Sequence, residues 1–110
     1  MAILAIYRSK DISPSQFESY RARVPLDESP PGALVHYYAR SKDDGSLCVV
    51  DLWDDPAAMA RFGEEQIKPA LRALDLPYIE PELFDVQTIA VVGPIEEYRV
   101  ALKAQAVEPA

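Results

Sequence analysis

The chain reads as an α+β domain with the element order β-α-β-β-α-β, a ferredoxin-like arrangement in which a four-stranded antiparallel sheet carries two helices on one face. Three observations predict this. Two Val-, Tyr- and Leu-rich runs flank Lys42-Asp43-Asp44-Gly45 within the stretch GALVHYYARSKDDGSLCVVDLW, residues 32 to 53, and Asp-Gly between apolar runs signals a β-hairpin. Two helix starts are written in cap-proline pairs, Ser13-Pro14 and Asp55-Pro56. Short apolar runs, AILAIYR before the first helix and LFDVQTIAVV after the second, complete the sheet.

Residues 2 to 8 are too short for a helix of their own and hold β-branched and aromatic side chains, so they are predicted as the first strand. Ser13-Pro14-Ser15-Gln16 has the form of a capping box with a proline at the first helical position. Phe17, Tyr20 and Val24 follow at helical spacing, and the helix is expected to stop before Pro25. PLDESPPG, residues 25 to 32, is a stiff connection that cannot enter a central ladder.

The hairpin strands are predicted at residues 33 to 41 and 46 to 53. A two-residue turn at Asp44-Gly45 places Tyr38 opposite Asp51 and His36 opposite Trp53; a four-residue loop shifts those pairs and keeps the faces. With period-two alternation, His36, Tyr38 and Arg40 share a face with Val49, Asp51 and Trp53, while Val35, Tyr37, Ala39, Cys48, Val50 and Leu52 share the other. In the second helix Met59, Phe62, Gly63, Gln66, Ala70, Leu71 and Leu74 recur near a 3.6-residue period, and Pro69 predicts a kink or break near residues 67 to 69. Leu83 to Val92 is the predicted fourth strand. The ferredoxin-like domain is thus expected over residues 1–93, and 94–110 as a C-terminal extension with a short helix through Glu96, Tyr98 and Leu102 or a frayed end.

At 110 residues with 49% hydrophobic and 26% charged residues, the composition is that of one globular domain. A formal charge of -7 argues against nucleic acid, whose phosphates require clustered Lys and Arg. No apolar run is long enough for a membrane span, and no basic segment precedes a long apolar region, so a cytoplasmic protein is expected. One His and one Cys make a metal site of imidazole and thiolate improbable, and Cys48 reads as a small core residue. There is no phosphate loop, dinucleotide fingerprint or nucleophile elbow, which leaves cofactor-free chemistry or none. Apolar residues on both faces of the strands leave one face for a second copy to cover, and a homodimer is expected.

The element order, VVDLW at the end of the third strand, the acidic-Pro helix start and the segment AMARFGEEQIKPAL resemble the dimeric α+β barrel superfamily, which includes antibiotic biosynthesis monooxygenases and stress-responsive barrel proteins. The likeness covers about residues 2 to 92. It implies two ferredoxin-like protomers forming a barrel, each with a small-molecule pocket between sheet and helices, and a tryptophan lining it at the position of Trp53. Many relatives carry a second-helix histidine where this chain has Phe62 and another about a turn later, near Gln66 or Ile67; haem-binding members use such a helix histidine, and haem-degrading ones an early-strand asparagine with no evident counterpart in AILAIYR, so haem is disfavoured.

Within that frame His36 and Asp51 are the candidate catalytic pair. An imidazole beside a carboxylate is a general base; a strand histidine making one structural hydrogen bond is the plain alternative. Asp51 needs a partner, because a lone carboxylate in an apolar strand is costly to bury. Trp53, Tyr38, Phe17, Tyr7 and Tyr20 are the candidate substrate-binding residues, and each also fits ordinary core. Two functions follow: a cofactor-independent enzyme, monooxygenase-like or isomerase/cyclase-like, acting on an apolar or aromatic molecule, or a non-catalytic dimeric barrel that binds a small ligand or acts in stress response.

Overall fold

The structure, a computed structural model, describes residues 1–24 and 30–98. Most of the proline-rich connection and the tail beyond residue 98 lie outside the described residues; 95–98 form one helical turn. The elements run β1 (Ile3–Ser9), α1 (Pro14–Arg23), β2 (Ala33–Arg40), β3 (Leu47–Trp53), α2 (Pro56–Phe62), α3 (Lys68–Ala73) and β4 (Glu82–Asp85). All pairings are antiparallel, in the order β2-β3-β1-β4, so the α+β ferredoxin-like expectation is met.

Both helix starts form as their sequences dictate. Ser13 Oγ accepts from the Gln16 N–H, and Gln16 Oε1 accepts from the Ser13 N–H at 2.8 Å, the reciprocal bonds of a capping box. Ile12 and Phe17, on either side of that box, occupy the N′ and N4 positions of a hydrophobic staple. Both are buried, with Leu47 and Val49, in one cluster, so the cap also fixes how α1 lands on the sheet. Asp55 accepts from the Ala57 N–H and Pro56 opens α2.

The hairpin takes the four-residue loop. Ser41 and Ser46 close it, Asp44 Oδ1 accepts from the Ser46 N–H, and only Gly45 has a positive φ, at 74°. A two-residue type I′ turn needs positive φ at both centres; Asp44 instead spends its side chain on the loop. His36 therefore faces Asp51 and Tyr38 faces Val49, which corrects the expected pairing by two residues and leaves the faces intact. A bulge between Ala33 and Val35 then brings Ala33 opposite Trp53.

The second helix passes Pro69 by widening. Between α2 and α3, Gly63–Ile67 forms a π turn in which the Lys68 N–H reaches back five residues to the Gly63 carbonyl. The proline ring crowds the carbonyl four residues before it, and the wider turn opens that space, so the irregularity begins upstream of the expected residues 67 to 69.

β4 corrects the expectation of a strand from Leu83 to Val92. Its register with β1 runs from Ile6 opposite Glu82 to Ile3 opposite Asp85. One further bond, from the Val86 N–H to the Ala2 carbonyl at 3.0 Å, follows the last pair. Ile89, Val91 and Val92 lie exposed beyond it.

Gly32 joins the proline-rich connection to β2 at φ 90°, and its carbonyl accepts from the Asp54 N–H. A Cβ there meets Ala58 Cβ at 3.0 Å and Asp54 Oδ1 at 3.2 Å. Gly32→Ala is accordingly expected to destabilise the fold by roughly 2 kcal/mol, read as a lower urea midpoint.

Candidate functional site

Alternation on β3 turns Leu47, Val49, Asp51 and Trp53 toward the helices, and all four are buried. Asp51 is the one buried charged side chain among the described residues, 4% exposed. On its β1 side it faces Ala5, which offers only a methyl group; on its β2 side it faces His36. His36 Nδ1 lies in ion-pair contact with Asp51 Oδ1. A carboxylate only accepts, so a hydrogen bond between the two would be donated from Nδ1 and would leave Nε2 as the basic nitrogen; in the structure, Asp51 Oδ1 makes no hydrogen bond among the described residues. The side chain of His36 is 29% exposed, so part of the imidazole is open to solvent.

The pair opens on a cleft between sheet and helices with a free volume of about 50 Å3. Its walls are mostly apolar: Ile12, Phe17, Leu47 and Val49 from the core cluster, Phe62, Ile67 and Leu71 from the interrupted second helix, and Leu76 and Ile79 from the segment before β4. Tyr7, Tyr20 and Tyr78 add three phenols, and no Lys or Arg among the described residues lines it. Burial, reinforced by the Asp51 carboxylate, pushes the Tyr7 and Tyr20 hydroxyls above the ordinary phenol range, because both effects penalise the phenolate. They remain neutral donors throughout the physiological range.

Five of the seven sequence candidates therefore meet at this cleft: His36, Asp51, Phe17, Tyr7 and Tyr20. Tyr38 and Trp53 do not line it. Tyr38 lies behind Phe17, its ring stacked at 4.2 Å and its hydroxyl accepting from Arg40 Nε. Arg40 also donates to the carbonyls of Ile12 and Gly45, so this pair ties the hairpin to the loop before α1. Trp53, expected as a pocket wall, is 3% exposed and packs on Phe62 with ring centroids 5.5 Å apart. The indole Nε1 is buried without an acceptor among the described residues.

Sequence reasoning missed Tyr78 and Ile79, which lie in a Pro-bounded passage without periodicity. It also missed Ile12, whose staple position relative to Ser13 and Phe17 was a usable signal. Among the described residues no group of three or more His, Cys, Asp or Glu is placed to hold a metal, and no helix is long and apolar enough to cross a membrane.

No family model matches the chain, and no curated protein matches it. Among solved structures, a point mutant of SnoaB from Streptomyces nogalater, a cofactor-independent oxygenase, is 27% identical; the match covers 80% of this chain and 95% of that one, with a TM-score of 0.62. A protein from Caulobacter crescentus CB15, provisionally named an antibiotic biosynthesis monooxygenase, is 21% identical over 79% of this chain and 91% of that one, TM-score 0.60. Rv0793 from Mycobacterium tuberculosis shares the fold at 13% identity, covering 83% and 100%, TM-score 0.64. The chain thus has the fold of the antibiotic biosynthesis monooxygenase-like proteins of the dimeric α+β barrel superfamily.

Proposed function

We propose that the protein is a small-molecule enzyme of the cofactor-independent barrel type, monooxygenase-like or isomerase/cyclase-like, acting on an apolar or aromatic substrate. The observation that carries this is the contact of a partly exposed imidazole with a buried carboxylate at the mouth of an apolar cleft. With Asp51 accepting from Nδ1–H, Nε2 is the base, and positioned bases of this kind contribute about 10²–10⁴-fold to proton transfer. Removing a proton from a phenol or an activated C–H leaves an electron-rich anion. Such an anion is the common starting point for reaction with oxygen, for isomerisation and for cyclisation. The 27% identity to SnoaB, a cofactor-independent oxygenase, supports the same class.

The test is deuterium exchange at the acidic C–H of 2-tetralone, a neutral bicyclic ketone, followed by NMR in heavy water. Exchange accelerated by the protein supports the reading, and exchange no faster than in buffer removes it. In that event the protein is a non-catalytic barrel that binds a small ligand, a reading favoured by the modest free volume of about 50 Å3, below the few hundred Å3 of common ligand pockets.

The same proposal includes a homodimer. The sheet face away from the helices presents Leu4, Ile6, Val50 and Leu52, none fully buried, beside the exposed Tyr37 and Phe84. A contiguous apolar face of this kind is unusual on a monomer, and a second copy packed sheet to sheet covers it. Leu52→Glu is expected to raise the dimer Kd about a hundredfold or more, since it buries an unpaired carboxylate. Sedimentation equilibrium checks this, and a wild-type chain that sediments as a monomer at tens of micromolar overturns it.

A further inference from the structure

Polar groups reach the cleft from two directions. His36 and Asp51 come from β2 and β3, Tyr7 from β1 and Tyr20 from α1. The hydroxyls of Tyr7 and Tyr20 make no hydrogen bond to another described residue, and both side chains line the cleft that also holds Asp51. Two phenol donors without a protein acceptor, on residues that line an otherwise apolar cleft, are matched by one group: an acceptor oxygen on the ligand. Among the described residues the lining holds a carboxylate and no Lys or Arg, so a ligand that arrives as an anion finds a like charge and no fixed countercharge from them.

We propose that Tyr7 and Tyr20 form a two-phenol clamp for the carbonyl oxygen of an uncharged apolar ligand, and that the cleft rejects the same skeleton when it carries a carboxylate. This rests on the reading of the cleft as a ligand site and names the class of molecule that it takes.

The clamp and the base work on opposite ends of one conjugated unit. When the C–H bond next to the carbonyl breaks, its proton passes to His36 Nε2. The bonding pair forms a C=C bond as the carbonyl π pair moves onto oxygen, where the two O–H groups receive the new charge. The imidazolium stays beside Asp51, and the total charge of site and ligand is unchanged. A ligand that has already lost its proton brings a negative charge that nothing in the cleft neutralises. Burial keeps both phenols in the donor form that this step uses.

The experiment is a calorimetric titration of the full chain at neutral pH with three molecules of one shape: 2-tetralone, its hydrocarbon tetralin and a carboxylated 2-tetralone. 2-Tetralone is expected to bind about tenfold or more tighter than tetralin, through the clamp, and about tenfold or more tighter than the carboxylate. Tyr7→Phe with Tyr20→Phe is expected to erase the first difference and leave tetralin unchanged; Asp51→Asn is expected to shrink the second. The wild-type comparison needs no variant. Equal affinity for 2-tetralone and tetralin, equal affinity for the ketone and its carboxylate, or no binding of 2-tetralone each overturns the proposal. Loss of deuterium exchange with these preferences intact removes the base chemistry alone; exchange without the preferences removes the clamp alone.

Discussion

Replacing His36 with alanine is expected to slow proton abstraction by about 10²–10⁴ and, separately, to destabilise the fold. The second effect arises on Asp51, 4% exposed and then left as a buried carboxylate without its partner. Breaking a fully buried pair costs about 3–5 kcal/mol. Water reaches the His36 side chain, 29% exposed, so about 2 kcal/mol is expected here. Asp51→Leu in the His36→Ala background is expected to recover most of that stability and none of the activity, because it removes the orphaned charge without restoring a base. The cycle of wild type, both singles and the double therefore separates the two roles: urea unfolding reports the coupling and deuterium exchange reports the base. A His36→Ala protein with full stability and full exchange removes His36 from the site altogether.

The fold was legible because its signals are local. The Ser13 capping box, the prolines at positions 14 and 56 and the alternation on β3 act within a few residues, and each appears where the residues place it. What the sequence left open depends on which of several bonds a side chain makes and on partners in other elements. The turn at Asp44-Gly45 was decided by where the Asp44 side chain bonds, which moved His36 from Trp53 to Asp51 without changing faces. β4 ends at Asp85, opposite Ile3, a boundary that the apolar run through Val92 does not contain. The site follows the same division. His36 and Asp51 were placed on one face by period two alone, whereas Tyr78 and Ile79 reach the cleft through a segment with no period to read.

Alkaline unfolding tests the environment of the two cleft phenols, and it is expected to be steep. Tyr7 and Tyr20 have folded-state values raised above an ordinary phenol, first by burial and then by Asp51. A raised folded value means that above about pH 10 the unfolded chain sheds these protons while the folded one retains them. The unfolded state then binds fewer protons, so stability falls as pH rises. The contribution is whole below about pH 10 and is lost progressively above it. Each group costs about 1.4 kcal/mol per pH unit, so the pair contributes a slope of about 2.7 kcal/mol per unit and about 5 kcal/mol between pH 10 and 12. That loss is comparable to the whole stability of many small domains. Tyr7→Phe or Tyr20→Phe alone is expected to remove about half of the slope, and the double substitution nearly all of that share, with the slope read from urea midpoints across the window. A phenylalanine pair that leaves the alkaline slope untouched places both hydroxyls in water, and with that result neither could serve as a buried neutral donor in the cleft.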